Sequence, residues 1–129
     1  MTKRISALYS ILFWIYIAVI VGISLNPKGG IQQVSIFEKE FRVDYLLHAM
    51  AFSALPILVF LATRTLMWSR TGIVLLFISL GFAVGTEYMQ LLISGRTYNP
   101  LDIASNISGL IVGLTIAILT KKFGKRKLS

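Results

Sequence analysis

Seven polar or charged residues interrupt an otherwise apolar sequence, and six of them fall in pairs: Asp44 with His48, Glu87 with Gln90, and Asp102 with Asn106, joined by Arg96. Separations of three and four place side chains above one another on a helix, so each pair defines one polar edge. The carboxylates can accept protons, hydrogen bonds or cations. His48 is the group whose charge changes near neutral pH, and Arg96 supplies a fixed positive charge. Such a set can bind a polar headgroup or perform acid–base chemistry. It can equally be structural: Asp102 and Asn106 capping a helix, Gln90 and Asn106 joining helices by hydrogen bonds, Arg96 neutralising a carboxylate, and Asp44 marking a helix start.

The elements that must position these residues are membrane spans. The chain has 129 residues, 56% hydrophobic and 14% charged, with a mean hydropathy of +0.78; soluble domains average roughly 45–50% apolar on a broader count. Four stretches, 5–25, 45–63, 71–94 and 103–120, approach the length of about 20 residues that a helix needs to cross the hydrocarbon layer. The second contains His48 and the third contains Glu87; the first and fourth contain no charge. This predicts an all-α membrane protein, a four-helix transmembrane bundle forming one domain over 1–129. The first span exceeds a signal h-region in length and is followed by no A-x-A-like site, so it reads as an uncleaved helix. With no cysteine, disulfides and thiolate metal sites are excluded.

Orientation follows from the basic residues. Lys3, Arg4, Arg64, Arg70, Lys121, Lys122, Lys125, Arg126 and Lys127 fall on one side, against Lys28, Lys39, Arg42 and Arg96 on the other. The positive-inside rule then puts both termini in the cytoplasm, and the net charge of +8 becomes a signal of orientation and of attraction to anionic lipid headgroups. The basic tail has no aromatic interleaving, which argues against nucleic acid. Between the first two spans, Asn26-Pro27 and Gly29-Gly30 mark a turn. Ile31, Val34, Phe37 and Phe41 then recur at roughly helical spacing, as expected of a segment lying flat at the outer interface; an exposed connector is the alternative. Gly95 to Leu101 reads as a tight external turn.

This threading brings Asp44, Glu87 and Asp102 to one membrane surface, each within roughly 10 Å of it at the helical rise per residue. Ionisable groups inside a span cost about 2.5–3.5 kcal/mol each at the bilayer centre, and Glu87 is the acid set furthest inside one. On the fourth helix the polar edge continues as Gly109 and Gly113, and the third helix repeats the spacing at Gly81 and Gly85. Small residues so spaced permit close helix approach, which would bring Glu87 beside Asn106 if helices three and four pack tightly. Pro56 continues the Asp44, His48, Phe52 stripe and can kink its helix. Trp14, Trp68 and the tyrosines read as core or interface anchors.

Other chemistries are disfavoured. His48 with two carboxylates lacks clustered ligand spacing along the chain, so neither a metal site nor a cofactor is expected. Ser94, Ser105 and Ser108 have no nucleophile elbow beside them, and no phosphate loop is present. A transporter is disfavoured because the titratable groups lie at one end.

The order of blocks resembles the VanZ-like family of small membrane proteins, named for an accessory protein of glycopeptide-antibiotic resistance that acts on teicoplanin. The blocks are Asp44-Tyr45-Leu46-Leu47-His48, Glu87-Tyr88-Met89-Gln90, Arg96, and Asp102, Asn106, Gly109, Gly113. Tyr45 stands where that family usually has lysine. The resemblance implies a cell-envelope protein of the bacterial cytoplasmic membrane. Two functions are weighed on these residues. One is binding of a lipid-linked envelope precursor or a lipoglycopeptide at the outer leaflet. The other is a membrane-embedded hydrolase or transferase using Glu87, His48 and Asp102 as acid and base. Membrane lipids are the expected partners, and oligomeric state stays open.

Overall fold

A computed structural model describes residues 3–25, 33–36, 39–64, 69–94 and 97–126. Four helices account for most of them: α1 (Lys3–Ser24), α2 (Val43–Thr63), α3 (Arg70–Gln90) and α4 (Pro100–Arg126). Each is long and apolar enough to cross a bilayer. The burial pattern agrees with lipid as the solvent. Large apolar side chains point outward along all four helices, Ile23 and Phe77 being 68% and 69% exposed, and soluble monomers rarely carry apolar surface on that scale. The chain is a multi-pass membrane protein.

The interior is assembled around α2, which touches the other three helices. Phe13, Ile17 and Ile20 of α1 pack with Phe52, Leu55 and Val59 of α2, with Leu75 and Ala83 of α3, and with Ala117 of α4. Helix directions can be read from individual contacts. The Ser6 hydroxyl donates to the Ala62 carbonyl and the Tyr16 hydroxyl to the Ala51 carbonyl at 2.9 Å, so α1 runs antiparallel to α2. Gly109 lies against Ala49 and Gly113 against Ser53, so α2 and α4 run parallel. Asn106 meets Ala83 and Tyr98 meets Tyr88, so α3 runs antiparallel to α4, and one end of the bundle carries the N-termini of α2 and α4 and the C-terminus of α3.

The closest approach joins α2 to α4, where the glycine spacing had suggested α3 with α4. A Cβ built on Gly109 would overlap the Ala49 carbonyl oxygen and lie 2.9 Å from the Ala49 Cα; one on Gly113 would overlap the Ser53 carbonyl oxygen. Small residues at matching four-residue spacing on both helices make this possible, because glycine opposite alanine or serine lets the backbones touch. Gly81 and Gly85 are different: a Cβ on either meets nothing within 4 Å, so neither holds a close packing.

Local chemistry sets the helix ends. Arg64 stops α2 in the left-handed region at φ 58°, a conformation costing roughly 1–2 kcal/mol outside glycine, with its guanidinium 5.9 Å from the Phe60 ring centroid. Ser69 caps α3, its hydroxyl accepting from Gly72 N at 3.0 Å. Past Gln90 the amides of Leu91, Leu92 and Ile93 turn back three residues, to Tyr88, Met89 and Gln90. That tightening ends α3 before residue 94, the expected limit. Asn99 caps α4, its Oδ1 accepting from Leu101 N at 3.1 Å, and Pro100 occupies the first helical position, where its missing N–H costs nothing.

Between α1 and α2 the chain forms a hairpin rather than an interfacial helix. Strands β1 (Gln33–Ile36) and β2 (Lys39–Arg42) pair antiparallel, with Val34 opposite Phe41 and Ile36 opposite Lys39. Val34, Ile36 and Phe41 are residue types enriched in strands.

Candidate functional site

The convergence of helix ends brings Asp44, His48, Asp102 and Asn106 together across α2 and α4, while Glu87 and Gln90 pair on α3; the seventh predicted polar residue, Arg96, lies outside the described residues, as does Trp68. Glu87 and Asn106 are fully buried, and Gln90 and Asp102 nearly so. Asp44 and His48 are partly open, their side chains 21% and 17% exposed. The cluster thus has a sealed floor formed by α3 and α4 and an accessible rim on α2.

Asn106 organises the floor. Its Nδ2 donates to the Ala83 carbonyl of α3 at 2.9 Å, and its Oδ1 lies 2.9 Å from His48 Nδ1 on α2. One amide therefore ties three helices together and fixes the imidazole. On α3, Gln90 Nε2 donates to Glu87 Oε1 at 3.2 Å, realising the polar edge that a three-residue separation predicts. On α2, His48 Nε2 stands 3.7 Å from Asp44 Oδ1, close enough for Coulombic interaction but beyond hydrogen-bond length.

Asn99 is the participant the sequence reading missed. Besides capping α4 it donates from Nδ2 to Asp102 Oδ1 at 3.0 Å and reaches the Tyr45 hydroxyl at 3.4 Å. Helix α4 is therefore not capped by Asp102, which sits at the third helical position as the acidic partner of its cap. The run Asn99-Pro100-Leu101-Asp102 is a helix-start signature with an acid three residues after the cap, so the signal was available. Tyr45 contributes its hydroxyl to this network.

The spacing argument against metal ligation does not survive folding. Asp44, His48 and Asp102 each offer a ligand atom, and these atoms lie within 4.8 Å of one another. Asp44 and His48 come together by helical spacing, and Asp102 arrives from a different helix through the α2/α4 contact. Chain distance hides this last member.

Beside the cluster, an open apolar groove of about 310 Å³ runs along the α2/α4 seam. Tyr45, Leu46 and Ala49 form one wall and Leu101, Ala104, Ser105 and Ser108 the other. Tyr45, which lines the groove, meets Asn99, the partner of Asp102, so the groove and the polar cluster share an edge. Tyr88 and Tyr98 pair at the same end of the bundle, ring centroids 5.7 Å apart. In comparison with known proteins, no family model, curated protein or solved structure matches the chain.

Proposed function

We propose that the protein is a cell-envelope membrane protein of the VanZ-like type, in the bacterial cytoplasmic membrane with both termini inside. In this reading it binds a lipid-linked or lipid-tailed polar ligand at the outer leaflet. The observation that carries this reading is the shared edge between a built polar cluster and an open apolar groove. A headgroup fits the first and an acyl chain the second, and 310 Å³ lies at the lower end of ordinary ligand pockets, enough for part of one chain. Asp44, His48 and Asp102 form the headgroup contact, while Glu87, Gln90 and Asn106 form its buried support. The resemblance in residue order supports a link to teicoplanin, which is itself lipid-tailed.

Expression in a susceptible Gram-positive host tests the proposal. Resistance should rise toward teicoplanin and not toward an untailed glycopeptide. It should fall when Ala104→Trp fills the groove and when Asp102→Asn alters the cluster. Equal resistance from wild type and Ala104→Trp rejects the groove as the acyl site.

A second reading is favoured by the held imidazole: a base oriented by a third group is the arrangement acid–base catalysis uses. In that case the same residues hydrolyse or transfer the headgroup. Release of a headgroup product from a radiolabelled phospholipid, abolished by His48→Gln, distinguishes turnover from binding.

A further inference from the structure

We infer that Asp44, His48 and Asp102 form a site for one divalent transition-metal ion of the Zn²⁺ or Mn²⁺ kind. The inference deepens the headgroup reading and rests on it only for the ion's role. The argument begins with Asn106. A backbone carbonyl can only accept a hydrogen bond, so the contact with Ala83 O assigns the NH₂ of the buried Asn106 amide to α3. Its carbonyl oxygen therefore faces His48 Nδ1 at 2.9 Å, and Nδ1 must carry the proton. In the neutral ring Nε2 is then the lone-pair nitrogen, and it faces Asp44 Oδ1 at 3.7 Å. In that form two acceptors stand 3.7 Å apart, a gap that a cation can bridge.

Dimensions and chemistry agree with that occupant. The 3.7 Å edge between His48 Nε2 and Asp44 Oδ1 and the 4.8 Å limit on the set correspond to about 2.1 and 2.8 Å from the centre of an equilateral triangle, taking edge length over √3. The lower value is a Zn–N or Zn–O bond, about 2.0–2.2 Å, and small side-chain rotations close the remainder. One imidazole with two carboxylates suits zinc, manganese or ferrous iron, whereas calcium and magnesium prefer oxygen alone. The outer supports are those a metal site uses: the ligating histidine donates its other N–H to an amide carbonyl, and the ligating Asp102 is held by Asn99 at 3.0 Å. Two ligands on the part-open rim and the buried Asp102 behind them leave coordination positions on the rim side for an external oxygen. The phosphate of a lipid headgroup supplies one, through ligand binding alone and with no bond broken.

The test loads the purified, detergent-solubilised chain with Zn²⁺ or Mn²⁺ alone, passes it through metal-free gel filtration and measures bound metal by mass spectrometry. His48 is the chain's one histidine and there is no cysteine, so background sites of similar affinity are few. Wild type should retain one ion per chain, with excess Mg²⁺ failing to displace it. Asp44→Asn, on the open rim, and His48→Gln should each lose at least tenfold in affinity. Asn106→Ala, a positioning change, should lose about 10- to 100-fold, and Glu87→Gln should retain the ion. Folding is checked by helical circular dichroism; if Asp102→Asn misfolds, Asp44→Asn carries the test. Wild type retaining no more metal than the Asp44→Asn/His48→Gln double variant overturns the site. Binding of a photoactivatable phospholipid, measured on the same samples both metal-loaded and in chelator, separates the two ideas. Lipid bound without metal uptake ends the metal site and leaves the headgroup reading standing; metal bound without lipid does the opposite.

Discussion

Replacing Gly109 by alanine should disrupt the polar cluster without touching any member of it. The added Cβ overlaps the Ala49 carbonyl and lies 2.9 Å from its Cα, against backbone that cannot swing away. The α2/α4 seam must therefore open by about 1 Å, the scale on which packed interiors resist change. Overpacking of this kind costs about 1–3 kcal/mol. The same displacement stretches the 2.9 Å contact between His48 and Asn106 beyond hydrogen-bond length, worth about 1 kcal/mol more. Alanine's helix propensity returns up to about 1 kcal/mol. With the full propensity return the net loss is about 1–3 kcal/mol, roughly fivefold to 150-fold in the folded population. Gly81→Ala and Gly85→Ala are matched controls, since their Cβ positions are open, and both should be neutral or mildly stabilising. Reversible unfolding in mixed detergent, followed by circular dichroism, measures all three. Equal midpoints for Gly109→Ala and Gly81→Ala would refute the reasoning.

Other substitutions separate the network's parts. Asn99→Ala removes the α4 cap and the Asp102 contact together. It should cost about 0.5–2 kcal/mol in the same assay, whereas Tyr45→Phe should change stability by less than about 0.5 kcal/mol; a larger loss for Tyr45→Phe would contradict the weak 3.4 Å contact. Asn106→Leu leaves the Ala83 carbonyl and His48 Nδ1 without their buried partner and should cost about 2–4 kcal/mol. Its His48 ¹⁵N shifts should also lose the single-tautomer pattern, and an unchanged spectrum would show that Asn106 does not hold the ring. For orientation, Tyr98→Cys in this cysteine-free chain should react with a membrane-impermeant maleimide in intact cells. Lys122→Cys should react only after lysis, and the reverse pattern would invert the proposed topology.

The four spans and the polar edges were legible because both depend on local spacing: length sets a span, and separations of three and four set a face. That Asp44 and Asp102 meet at one end also followed from threading alone. Partner choice between helices did not. Gly81 and Gly85 have the same spacing as Gly109 and Gly113, and what distinguishes them is the small residues Ala49 and Ser53 that α2 happens to bring opposite α4. The hairpin was misread because Val34 and Phe41, seven residues apart, satisfy both a helical repeat and an antiparallel register. Asn99 was passed over as a turn residue although its sequence context is that of a cap. The Asp44, His48, Asp102 grouping needed the folded chain, since its third member comes from a helix more than fifty residues away.

The account depends above all on α2 and α4 delivering their acids to one spot. A double variant, Asp44→Cys with Asp102→Cys, treated in native membranes with a short thiol-specific linker, probes that directly. Their carboxylates lie within 4.8 Å, so rapid intramolecular linkage is expected. Asp44→Cys with Leu119→Cys should remain unlinked, because 119 lies about 25 Å further along α4 at the helical rise per residue. Linkage no faster for the first pair than for the second would contradict the convergence on which the site is built.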